Sequence, residues 1–190
     1  MRGAVRARCS RGSAVAVTGV LLFGAAVATA DATSLAAIPS RCHPSQLIVR
    51  IGHEGAAAGH IGVEVRFQNV SARACTLYGY PGLQMLDAAG RPLPTEVHRG
   101  RAYTVPNVAE RLVTLRPRAG AAFDAGWDDA TGYGRKQCPT STRVLITPPD
   151  AYQSIKIAWR IQPYGGGSVQ HLRCGQITVS PVFATTRAAG

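Results

Sequence analysis

Ile61-Gly62-Val63-Glu64-Val65-Arg66-Phe67-Gln68 decides the fold class. Successive side chains of a strand point to opposite faces, so apolar residues at every second position mark a strand with one buried face. Here Ile61, Val63, Val65 and Phe67 fall on one side and Gly62, Glu64, Arg66 and Gln68 on the other, the pattern of a half-buried antiparallel strand. The alternation returns in Ala121, Phe123, Ala125 and Trp127, with Asp124 and Asp128 opposite. It returns again in Ile155, Ile157, Trp159 and Ile161, against Ser154, Lys156, Arg160 and Gln162. Shorter β-rich runs occupy 47–51, 83–86, 112–115, 144–147 and 176–179. Turn formers separate them: Gly79-Tyr80-Pro81-Gly82, Ala88-Ala89-Gly90-Arg91-Pro92, 117–120, 132–134, Pro148-Pro149-Asp150 and Gly165-Gly166-Gly167-Ser168. About eight short strands with turns between them predict an all-β antiparallel β-sandwich rather than βαβ units. The best helical candidate is a turn or two at 56–60. In Tyr80-Pro81-Gly82, Pro is expected to fix φ at one turn position and Gly82 to take a positive φ at the next.

The chain has 190 residues, 46% hydrophobic and 16% charged, too apolar for a disordered chain and of single-domain size. Its net charge of +11 includes Arg2, Arg6, Arg8 and Arg11 before an uncharged run at 14–28 that ends in Ala28-Thr29-Ala30. A basic start, a short apolar stretch and an A-x-A ending form a secretory signal pattern, expected to cover 1–30. The apolar run is short of the ~20 residues that span a bilayer, so cleavage is expected rather than a retained span. Removing those four of the 21 basic residues leaves 17 against 10 acidic. A short flexible lead at 31–41, a sandwich at 42–184 and a disordered tail at 185–190 complete the expected organisation.

Cys9 goes with the signal, leaving Cys42, Cys75, Cys138 and Cys174. An even set in an exported chain reads as two disulfides, because the exterior lets them form and persist. Four cysteines allow three pairings, of which strand order favours Cys42 with Cys75 and Cys138 with Cys174. No cysteine follows the apolar run in a lipobox arrangement, so a secreted or envelope-associated protein is expected, not a lipoprotein.

Several landmarks together resemble an exported actinobacterial domain-of-unknown-function family, number 4232. They are Cys42, then Gly55-Ala56-Ala57-Ala58-Gly59-His60 leading into a strand that ends at Asn69, then Cys75-Thr76-Leu77-Tyr78-Gly79-Tyr80-Pro81-Gly82 before a strand reaching Asp87, and Cys138 ahead of Pro148-Pro149. The resemblance spans roughly Cys42 to Val182. It implies an immunoglobulin-like sandwich, export and association with the cell envelope, and it carries over no catalytic residue.

The sequence offers few catalytic or metal-binding motifs. His53-Glu54-x5-His60 lacks the two histidines four apart that a zinc helix needs. No Gly-x-Ser-x-Gly elbow, dinucleotide fingerprint or Walker loop occurs. Cys42-His43 reads as a disulfide cysteine with a neighbour rather than a ligand pair. Asp124, Asp128 and Asp129 are the one acidic cluster, and as outward strand residues they are expected to be solvated. No cofactor or metal is expected. Asn69 and the small residues at 56–59 are read as folding residues.

The candidate binding surface is basic and aromatic: Arg91, Arg99, Arg101, Arg111, Arg116 and Arg118, with Tyr103, Tyr133 and Tyr164 in neighbouring loops. Such an excess attracts an anionic envelope component or another exported protein. No reading element for nucleic acid is present. The leading expectation is a non-catalytic binding or scaffolding module at the envelope. The alternative is a small secreted hydrolase or carbohydrate-active enzyme using Asp124, Asp128 or a histidine.

Overall fold

The alternating segment at 61–68 forms the second strand of a mostly antiparallel six-stranded sheet. The computed structural model describes residues 37–128, 139–161 and 172–185, which belong to a unit beginning at Ala37. β1 (Leu47–Ala57), β2 (His60–Asn69), β7 (Gly120–Asp128), β12 (Gln176–Val179) and β5 (Glu96–Arg99) lie in that order, and β13 (Phe183–Ala184) also pairs β7. A second sheet orders β10 (Ile155–Ala158), β9 (Arg143–Thr147) and β4 (Gly82–Leu86). Two pairs complete the fold: β3 (Cys75–Leu77) with β6 (Val113–Leu115), and β8 (Thr140–Ser141) with β11 (Leu172–Arg173). Among the described residues the helical content is one 3-10 turn, Pro44–Gln46, and no helix is long and apolar enough to cross a membrane.

The inward face of the large sheet carries Leu47 and Val49, Ile61, Val63, Val65 and Phe67, Phe123 and Trp127, and Ile177 and Val179. Leu83 and Met85 of β4 and Val144 and Ile146 of β9 join the same buried cluster, so both sheets close on one core. Phe67 and Phe123 meet at a centroid distance of 5.7 Å, and Trp127 meets Trp159 edge-on at 5.8 Å, separations at which aromatic pairs add to burial. Trp159 lies just beyond β10, which ends at Ala158, earlier than the alternation to Ile161 suggested. The period is nonetheless kept, with Trp159 and Ile161 fully buried.

Three expectations are corrected. Residues 56–60 form a hairpin rather than a helical turn: Ala56 and Ala57 pair with Ile61 and His60, and the two connecting residues, Ala58 and Gly59, both have positive φ, 51° and 83°. That geometry matches the strand twist, which two-residue hairpins require. The positive φ of the Tyr-Pro turn falls on Gly79, at 88°, while Gly82 is extended as the first residue of β4. The pairing is not wholly antiparallel, because β5 lies parallel to β12 from Glu96 opposite Gln176 to Arg99 opposite Val179. The expected Cys42–Cys75 disulfide is present. Cys174 is also disulfide-bonded, and Cys138, its expected partner, lies outside the described residues.

The Cys42–Cys75 bridge is prepared by backbone pairing. The N–H of Cys42 donates to Thr76 O at 2.9 Å and Thr76 N–H to Ser40 O at 2.9 Å, which lays the N-terminal lead along β3 and brings the two Cα atoms to 4.7 Å. Asn69, fully buried at the end of β2, ties the next corner: Nδ2 donates to Arg73 O and Leu115 O, and Oδ1 accepts from Ser71 N–H. Closing a separation of 33 residues stabilises the fold by about 3 to 4 kcal/mol in the chain-entropy account. Replacing both cysteines by serine is therefore expected to lower the urea midpoint by an amount equivalent to about 3 kcal/mol; an unchanged midpoint would contradict this account.

Candidate functional site

The outward face of β1, β2 and β7 carries a cleft of about 370 Å³, lined among others by His53, Glu64, Tyr103, Thr104 and Asp124. Its shape begins with a bulge. Ile51 pairs with Val65 and Glu54 with Val63, so Gly52 and His53 stand opposite Glu64 alone. A bulge of this kind bends a strand and re-aims its side chains. A Cβ on Gly52 would lie 2.7 Å from Glu64 Oε1 and 2.9 Å from Arg66 Nε, so the bare backbone there makes room for the Glu64–Arg66 ion pair.

The second wall is a strap at 101–105 that crosses the sheet. It is closed by reciprocal backbone bonds between Ala102 and Val105, at 3.0 and 3.2 Å, and anchored by Val105, which is buried. Thr104 Oγ1 donates to Ile61 O at 2.9 Å. The seat for this strap is a cross-strand glycine pair, Gly62 opposite Gly126. A Cβ on Gly62 would meet Thr104 Cβ at 2.7 Å, and one on Gly126 would meet Thr104 Oγ1 at 2.6 Å and Val105 Cγ2 at 2.7 Å. Any larger residue at either position displaces the strap. At the strap's tip, Tyr103 stacks on His60 with ring centroids 4.6 Å apart, and His60 Nδ1 is 2.5 Å from Asp128 Oδ1.

Charge is arranged unevenly around the cleft. Glu64 and Asp124 are direct cross-strand partners, a placement that sets side chains of like charge side by side. Arg66 engages Glu64. The Asp124 carboxyl, with no hydrogen bond among the described residues, is pushed up to about 6, first by burial and then by the Glu64 charge. The expectation of a solvated outward face is thus corrected: the strap covers Gly126, and Asp124 is half-buried. Asp128 is exposed and paired with His60, while Asp129 lies outside the described residues. No group of three or more His, Cys, Asp or Glu side chains able to hold a metal occurs among the described residues.

The six arginines do not gather into one patch. Arg91 Nε contacts Asp87 Oδ2 at 2.7 Å; the Arg91 backbone N–H is the first cause, and its side chain the second, of an Asp87 carboxyl held below its usual range. The Arg99 guanidinium lies 5.7 Å above the Tyr80 ring. Arg101, Arg111, Arg116 and Arg118 are exposed. Arg118 N–H bonds Asn69 O, whereas the strap beside Arg101 bonds Ile61 O. Those two β2 positions are about 26 Å apart at the usual strand rise, so Arg101 and Arg118 stand toward opposite ends of β2. Of the three loop tyrosines, Tyr103 lines the cleft, and Tyr133 and Tyr164 lie outside the described residues. The sequence reading missed Glu64, Arg66, Thr104 and the glycine pair; the available signal was a glycine on the outward side of each of two alternating strands.

A carboxyl held up in the folded protein binds its proton more tightly there than in the unfolded chain. Its contribution to stability is full below the ordinary carboxylate range and is lost as pH rises through about 6. After discounting for the partial exposure of Asp124, the loss amounts to about 1 to 2 kcal/mol. Asp124→Asn should abolish that decline and leave the variant more stable than wild type at pH 7 by about 1 kcal/mol, measured by urea unfolding from pH 4 to 7. Parallel stability profiles for the two proteins would contradict this.

No curated protein shows significant similarity to the chain. Residues 42–182 match the family described as Domain of unknown function (DUF4232). That span runs from the first bridged cysteine to the residue before β13 and contains β2, β7 and the strap. With most of its length inside the match, the chain belongs to the DUF4232 family.

Proposed function

We propose that the protein is an exported, non-catalytic binding module of the cell envelope, built as an immunoglobulin-like sandwich. Export is supported by the basic start, apolar run and Ala28-Thr29-Ala30 ending of residues 1–30, and by a disulfide that needs an oxidising compartment. The observation that carries the binding reading is the cleft itself. It is a concave site on the large sheet, with an aromatic ring and a few converging polar groups in its lining, the usual composition of a ligand site. The actinobacterial setting implied by the resemblance agrees with an envelope role, and the partner is an envelope component or another exported protein, any anionic group of which meets the exposed arginines outside the cleft rather than the Glu64 and Asp124 carboxylates within it.

One observation favours a hydrolase as the second reading. A carboxyl pushed up to about 6 beside an arginine-paired glutamate is the kind of unequal pair that acid–base hydrolysis uses. That reading requires turnover that disappears in Asp124→Asn, whereas a binding module gives none in either protein.

Co-sedimentation of the purified protein with washed cell wall and membrane at low salt tests the proposal. Wild type is expected in the pellet, with Gly62→Val, which displaces the strap while leaving the core face intact, reduced about tenfold in apparent affinity. A protein that stays free of both fractions, with no partner captured by crosslinking, would defeat it.

A further inference from the structure

We propose that the cleft beside Tyr103 binds a short saccharide, taking neutral or amino-bearing sugars and rejecting uronic acids; this rests on the binding-module reading above. Tyr103 gives one ring face to His60, at 4.6 Å and an interplanar angle of 27°, yet the residue remains 69% exposed. Its other face is therefore open. His60 is itself held by Asp128, so the ring stands on a braced support. A pyranose offers what such a platform needs: an apolar C–H face to lie on the ring and a rim of hydroxyl donors.

The polar groups within reach define the rest of the ligand. Glu64 and, when ionised, Asp124 only accept hydrogen bonds. Thr104 has already committed its proton to Ile61 O, leaving its oxygen as an acceptor. The lining also holds Glu54 and one imidazole, His53, so acidic acceptors outnumber nitrogen donors; the cleft therefore pairs with hydroxyl or ammonium donors, and a ligand carboxylate would face Glu64 and Asp124 with Arg66 already engaged. A flat apolar compound would use the ring and leave these acceptors unpaired. The volume of about 370 Å³ lies near the lower end for ligand pockets, which suits a short saccharide rather than a long chain.

Saturation-transfer difference NMR at pH 7 with maltotriose, chitotriose, glucosamine and glucuronate decides the matter. At least one of the first three is expected to give transfer, with glucuronate weaker by about fivefold, and Tyr103→Ala should cut the signal by about fivefold at an unchanged melting temperature. Asp124→Asn should narrow the gap between glucuronate and the others. No transfer from any probe, equal transfer from glucuronate, or an unaltered Tyr103→Ala variant would overturn the assignment. If the saccharides fail while envelope co-sedimentation remains sensitive to Gly62→Val, the binding module stands and its ligand is not a sugar; if both fail, both readings fall.

Discussion

Nine consecutive antiparallel Cα partners join His60–Gln68 of β2 to Gly120–Asp128 of β7, and this one register sets both faces of the large sheet. Inside it aligns Ile61 with Trp127, Val63 with Ala125, Val65 with Phe123 and Phe67 with Ala121. Outside it aligns His60 with Asp128, Gly62 with Gly126 and Glu64 with Asp124. A slip of one residue would move every one of these side chains to the opposite face. The burial of Phe67, Val65 and Phe123, all fully enclosed, therefore locks the placement of the cleft as well as that of the core.

The outer face departs from what stability alone would select. Two carboxylates sit directly opposite each other, two adjacent positions lack a side chain, and a half-buried acid is held up to about 6. Apolar or oppositely charged residues would pair better at these positions. The sheet tolerates the arrangement because Arg66 offsets the Glu64 charge, the strap contributes the buried Val105, and the strong inward face supplies the cooperativity. Violations of local rules gathered at one place, while the rest of the strand pair obeys them, are the usual mark of a site.

The sequence made the core face legible and the site face largely illegible, for a physical reason. Alternation reports which residues of a strand are buried together, so Ile61 to Phe67 and Ala121 to Trp127 could be read directly. It does not report which strand neighbours which, and the pairing of Glu64 with Asp124 and of Gly62 with Gly126 arises only from that adjacency. The strap at 101–105 is invisible in the sequence beyond Arg101 and Tyr103, because its placement depends on a bond from Thr104 to Ile61, 43 residues away. The Cys42–Cys75 bridge was accessible because strand order brings its ends together. The hairpin at Ala58 and Gly59 was misjudged because a run of alanines favours helix locally, and the tertiary ladder between β1 and β2 overrides that preference.

A single carboxyl, half-buried in the cleft and opposite Glu64, thus reports on the register and the cleft together. Carbon-detected NMR titration of the Asp124 side chain in the wild type and in Glu64→Gln measures it directly. A wild-type midpoint of about 6 is expected, falling part of the way in the variant, since burial is the larger cause and the Glu64 charge the smaller. An ordinary carboxylate midpoint in the wild type, or one unmoved by Glu64→Gln, would contradict the arrangement from which the site has been built.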